Sequence, residues 1–532
     1  MSSNVSEIVD LCCDADAPCT SISAIFNSLK AQSIDLTTLN LTIQISEGLY
    51  NSSGNTDLYI FGQTLNLIGS TNGSTTFIGS SNRVFTIPEP VGTGVNPPII
   101  TNLNLQQLNF VNFTTTGGSV VNADITNTTL LLNIQQCSFQ NLSSTGDGGV
   151  LLLNLNSLSH DNANLSRINV NIADSQFISN GAANSGGAIS VTLGQLRLDR
   201  CSFQSNNASD GGAISSTGPV VAFHSNFTGN QVTDEGGALT LNYQHIAYSL
   251  FSHCLFTANN AVTGGSISGH QTQIHLHKSN FIQNKAVTGG VINLVAPASQ
   301  LNVSYCSFDS NEAEGQGGSI YQDNNSIFLL TQSNFTRNTA NRGGAIMFSQ
   351  SNGYVNGVIM QSNVATSGGA LYTTASHFTM NDTVIEDNTA DQGGSIYCSD
   401  SEITIPSAII IDDNHDNDNT TSTDSAENQL NQYNIFCSLV PTYTYCKFFG
   451  ADDYVDVCGE VDIPSKGGLP ISKLALVFII IGGVIALGLI SFGIGCLLAR
   501  STDKGDKNYA PVLDAINTGI SDDEDRKSTS SN

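Results

Sequence analysis

Over most of the chain, apolar side chains alternate with polar ones in short runs, as in Gln195-Leu196-Arg197-Leu198-Asp199 and Gln273-Ile274-His275-Leu276-His277. A period of two predicts β-strands with one face buried, and the Gly- and Asn-rich stretches between runs predict tight corners. The runs return about every 25 residues. Phe177, Phe203, Phe227, Phe256, Phe281, Phe308 and Phe335 are each followed three places later by Asn, at Asn180, Asn206, Asn230, Asn259, Asn284, Asn311 and Asn338; Met360/Asn363, Ile385/Asn388 and Ile411/Asn414 continue the series. Five or six residues after nine of these Asn residues comes a Gly-Gly pair, such as Gly211-Gly212 or Gly236-Gly237, then a small residue or Val and an Ile or Leu.

A fixed period of this length marks a stack of identical supersecondary units. With strands and no helical period in each unit, the expected fold is all-β: a right-handed parallel β-helix whose coils lie ~4.8 Å apart. Equivalent residues then stack. The Phe column is expected to fill the interior, the Asn column to pair amide to amide as in cross-β ladders, and Gly-Gly to form a corner needing φ > 0 or close backbone approach.

These motifs, Gly211-Gly212-Ala213-Ile214 and Phe203-Gln204-Ser205-Asn206 among them, resemble the GGA[ILV] and FxxN repeats of the chlamydial polymorphic outer-membrane proteins and their single-pass eukaryotic relatives. The resemblance covers roughly residues 137 to 414. It implies a pectin-lyase-like solenoid and adhesion as the function. The bacterial members end in an outer-membrane β-barrel, which this sequence lacks.

The expected organisation is an N-terminal segment without a visible signal peptide (1–11), a cap with irregular coils (12–136), and regular coils (137–414). A last coil with a Cys-containing cap and stalk (415–473), a transmembrane helix (474–499) and a cytoplasmic tail (500–532) follow. Leu474 to Ala499 is free of charge and exceeds the ~20 apolar residues that span a bilayer. Fifteen N-x-[ST] sequons precede it, which orients the β-helix to the extracellular or lumenal side of the plasma or endosomal membrane. Either a signal peptide precedes residue 1 in the full gene product or the apolar segment is the targeting signal.

Net charge is −27, nearly all of it ahead of the tail, and an acidic surface of this size excludes nucleic acid as a partner. Cys137, Cys201, Cys254 and Cys306 stand two residues before a ladder Phe position, and Ser175, Ser225, Ser279 and Ser333 hold the same register in intervening coils. Two coils place successive cysteines ~9.6 Å apart, beyond disulfide reach, so they read as interior packing groups. Cys12, Cys13, Cys19, Cys398, Cys437, Cys446 and Cys458 lie outside that column and suit local disulfides at the two ends.

Three residues before each Phe stand Arg200, His224, His253, Lys278 and Tyr305. Taken as outward positions of an alternating strand, they form either a cationic-aromatic binding stripe or unrelated polar residues on a solvated face. His275 and His277 share a strand face but lack a fixed third ligand. Glu386, Asp387, Asp412, Asp413, Asp416 and Asp418 gather hard oxygen ligands in adjacent coils, for Ca²⁺ or as an acidic turn. No other cofactor is implied, and no nucleophile elbow, HExxH, P-loop or dinucleotide motif appears. In the tail, Tyr509-Ala510-Pro511-Val512 resembles a YxxΦ signal for an endocytic adaptor. Three functions fit: non-enzymatic recognition of glycans or cell surfaces, a membrane-tethered polysaccharide lyase or hydrolase, and a structural surface coat.

Overall fold

The computed structural model describes most residues from 21 to 416, except short stretches of which 89–98 and 157–166 are the longest, together with the strands Ser6–Leu11, Ile435–Cys437 and Lys447–Gly450. Residues 1–460 form one compact unit; a second, 461–532, lies outside the described residues, and with it the expected membrane span, the tail and Tyr509 and Val512.

The unit is a parallel β-solenoid of right-handed type. Among the described residues three long sheets, here A, B and C, hold 16, 14 and 14 strands, and every strand pair is parallel with neighbours one coil apart. One coil shows the path. Gln273–His277 lies in sheet A, Lys278 turns the chain through a left-handed conformation, and Ser279 points inside. Asn280–Ile282 lies in sheet B, and a second left-handed residue, Gln283, turns Asn284 inward. Lys285–Thr288 crosses to the Gly289-Gly290 corner, and Ile292–Val295 lies in sheet C.

The Phe column is interior and continuous. Phe177 through Phe335 stack with ring centroids 4.5 to 5.1 Å apart, all fully buried. The Asn column is equally regular: Asn259 Nδ2 donates to Asn284 Oδ1 and to Phe227 O, and Asn259 N–H also donates to Asn284 Oδ1. Each buried amide is thus satisfied by the coils on either side, which its burial demands. Both glycines of the corner are needed, for different reasons. Gly211 has φ +59, and a Cβ on Gly212 would collide with the carbonyl oxygen of Gly237 one coil on.

The first coils are less irregular than their sequence suggests. Tyr50, Phe77, Phe110 and Phe139 carry the aromatic column upstream, with centroids 4.8 to 5.5 Å apart through to Phe177. Gly148-Gly149 forms a further corner of the same kind, with φ +60 at Gly148. Residues Ser6–Leu11, expected to be a leading segment, already pair in register with Asn40–Ile45 in sheet A. The cap includes a helix, α1 (Ile22–Ala31), N-capped by Ser21 and burying Ile22, Ile25, Phe26 and Leu29. Strand signals alone had been expected there.

Cys137, Cys201, Cys254 and Cys306 are buried free thiols. Burial pushes three of them up to about 12 and Cys201 to about 11, so they are unreactive packing groups. Each of the serines one coil on accepts from the cysteine's N–H, as Ser279 Oγ does from Cys254 at 3.0 Å. Cys398 is disulfide-bonded.

Candidate functional site

The five residues of the expected stripe do form one column on adjacent coils, but at a corner rather than on a strand face. Arg200, His224, His253, Lys278 and Tyr305 all have φ between +46 and +55. The left-handed turn between sheets A and B swings their side chains out beside the outer face of sheet A, and all five are exposed. Alternation alone misses this, because the corner inserts a residue that belongs to neither strand.

The corner and the sheet A face together hold a connected set of rings. His224 stacks on His253 at 5.1 Å, His253 meets His277 edge-on at 6.1 Å, and His277 meets Tyr305 edge-on at 5.8 Å. Beside them Tyr248 stacks on His275 at 4.5 Å, and the Arg197 guanidinium lies 4.9 Å from the Phe223 ring centre. Sequence reading had not singled out Phe223 or Tyr248. The in-register pairing of sheet A, which places Phe223 opposite Ser252 and Tyr248 opposite Gln273, brings them to this face.

The electrostatics of this column differ from the expected basic stripe. Arg200 is held by Asp174 at 2.6 and 3.0 Å and by Asp199 at 2.5 Å. The guanidinium keeps the Asp174 carboxyl below its usual range. Two carboxylates therefore offset that cation, and His224 Nδ1 also lies 3.9 Å from Asp199. Lys278 forms no ion pair among the described residues. Asn302 Nδ2 donates to His275 Nε2 at 3.0 Å, which requires an unprotonated nitrogen there. Burial lowers the pKa of His275, and burial followed by Lys278 and His253 lowers that of His277. Among the described residues the site is thus a ring-rich surface with one ammonium group, that of Lys278, outside any ion pair.

A second group of titratable residues was not anticipated. Asp210 and Glu235 directly precede corner glycines, and His270 Nε2 lies 2.8 Å from Glu235 Oε2. Burial raises both carboxyl pKa values; Asp234 adds to each, while His270 and, for Asp210, the Glu235 N–H oppose it. The sequence signal was the acidic residue before Gly-Gly in successive coils.

The acidic group near the C-terminal coils is only partly assembled. Glu386 and Asp412 face each other in register on sheet B, while Asp387 and Asp413 occupy left-handed corner positions. Gln361 Nε2 donates to Asp387, and Asp413 N–H donates to Asp412 Oδ1. Among the described residues no three His, Cys, Asp or Glu side chains converge on a cation position; the side chain of Asp416, and all of Asp418, lie outside the described residues. Comparison with protein-family models, with curated proteins and with solved structures gave no match.

Proposed function

We propose that the chain is a non-enzymatic recognition protein, displayed on the outer side of a membrane by its apolar segment 474–499, whose ring-rich corner binds glycans on an opposing surface. The observation that carries this reading is the connected run of rings from His224 to Tyr305, across four coils, all exposed except the half-buried His277. Ring faces and edges offer the C–H and hydroxyl groups of sugars a large contact area at low conformational cost. A rigid solenoid presents them at a fixed spacing of ~4.8 Å per coil. Tyr305 is 59% exposed, far more than its own packing requires. In this reading the tail residues Tyr509 and Val512 are read by an endocytic adaptor.

Two measurements on cells expressing the full chain test the proposal. Protease added outside is expected to remove epitopes ahead of Leu474 and spare one placed after Arg500, and the intact cells are expected to adhere to a subset of immobilised glycans. Protection of both epitopes, or no adhesion above untransfected cells, would reject it.

A second reading, a polysaccharide hydrolase, has one observation in its favour: two half-buried carboxyls with raised pKa values, Asp210 and Glu235, as a general acid requires. Its test is reducing-end release from polysaccharides that Glu235→Gln abolishes. Absence of release by the wild type sets this reading aside.

A further inference from the structure

The residue before the first corner glycine forms its own outer column, in which Gln316 pairs with Arg342 and Arg342 with Ser367. Along this part of the column lies a shallow open recess of about 460 Å³, lined by Gly315, Gln316, Asn341, Arg342, Thr366 and Ser367. Its walls are fixed by the corner backbone: Asn341 and Arg342 N–H both donate to Gly315 O, and Thr366 and Ser367 N–H to Asn341 O. Arg200, Arg337 and Lys285 all pair with carboxylates, whereas Arg342 has no carboxylate partner among the described residues. Its guanidinium instead lies 5.8 Å from the centre of the Tyr372 ring, which stacks at 4.5 Å on Tyr397. The guanidinium is held against a ring face while its N–H fork is unused by any acid.

We propose that this recess is a second binding site, for a carboxylate-bearing sugar unit. A planar carboxylate matches the guanidinium fork with two parallel N–H···O bonds. The amides of Gln316 and Asn341 and the hydroxyls of Thr366 and Ser367 supply neutral donors and acceptors for sugar hydroxyls. The lining contains no carboxylate to repel the ligand, although the chain carries −27 overall. The site lies beside sheet C, away from the rings at the corner of sheets A and B, and stands independently of the function proposed above.

The test is calorimetric titration of the full chain in detergent with a galacturonic acid tetramer, a neutral galactose tetramer and a sulfated galactose tetramer. The acid tetramer is expected to bind and the neutral one not to. Arg342→Gln is expected to weaken binding at least tenfold and Arg342→Lys to recover only part of it, since an ammonium group lacks the fork. Circular dichroism checks that these exposed substitutions leave the fold intact. A paired variant, His253→Ser with Tyr305→Ser, is expected to bind the acid tetramer as the wild type does, which separates this site from the ring surface. No binding of the acid tetramer, equal binding by Arg342→Gln, preference for the sulfated tetramer, or loss in the paired ring variant would each overturn the proposal.

Discussion

The first coils, up to about residue 155, and those from Asn180 onward follow one backbone path but secure its second corner differently. In the coils of Phe110 and Phe139 the inward residue after sheet B is Phe113 or Leu142, both buried. In the later coils it is Asn, from Asn180 to Asn414, and every amide is bonded inside the solenoid. The early coils place amides outside instead: Asn40, Asn66, Asn104 and Asn133 form a bonded column on the outer face of sheet A that runs on to Asn171, with links of 2.7 to 3.2 Å. The corner therefore tolerates either an apolar filler or an amide ladder. What both regions share is the aromatic column and the left-handed corner glycine.

The largest expected effect tests that shared element. Phe281→Ala in the later coils and Phe110→Ala in the early ones should each cost about 3–5 kcal/mol through lost burial and cavity formation, read from denaturant midpoints. A small cost for Phe110→Ala alone would mean that the early coils are not held by the same column.

The corner itself is tested next. Asn284→Leu removes an amide that serves Asn259, Phe256 and Asn311, and each buried polar group left unpaired costs about 1–3 kcal/mol. Leu142→Asn runs the other way. Leu142 N–H already donates to Asn180 Oδ1, so an amide there can extend the ladder, and its cost is expected to be smaller than that of Asn284→Leu. The reverse order would contradict the account of the two corners.

This contrast also explains what could be read from the sequence. The later coils were legible because Phe, Asn and Gly-Gly recur together, and each answers a separate demand of burial, amide pairing or backbone conformation. The early coils hid because Leu142 and Phe113 replace the Asn, although Tyr50, Phe77 and Phe110 keep the aromatic register. The stripe residues were found by spacing, but their setting was not. Nothing local in the sequence shows that Arg200 meets Asp174 a coil away, or that the left-handed corner rather than strand alternation exposes His253.

A smaller effect concerns protonation on the ring face. Because the folded protein holds His275 and His277 with lowered pKa values, the unfolded chain binds protons more readily below its own value of about 6.5. Their contribution to stability is fully present above that pH and is lost as pH falls through the lower folded values. Thermal melts of the wild type should show a modest decline on acidification below pH 6.5 that His275→Asn with His277→Asn reduces. An unchanged pH profile in the double variant would show that these imidazoles are not held neutral.

The smallest expected change is at Arg200. Its pairs with Asp174 and Asp199 are exposed, and exposed pairs contribute little to stability. Arg200→Ser should leave the melting temperature within error and leave adhesion nearly unchanged, because its charge is already offset.

The central claim, that rings rather than basic charge make the recognition surface, is tested most directly by the adhesion of cells displaying the full chain to the glycans they select. His253→Ser with Tyr305→Ser is expected to reduce adhesion at least tenfold at equal surface expression, while Arg200→Ser retains it. Equal adhesion by the ring variant, or loss in Arg200→Ser alone, would contradict the account.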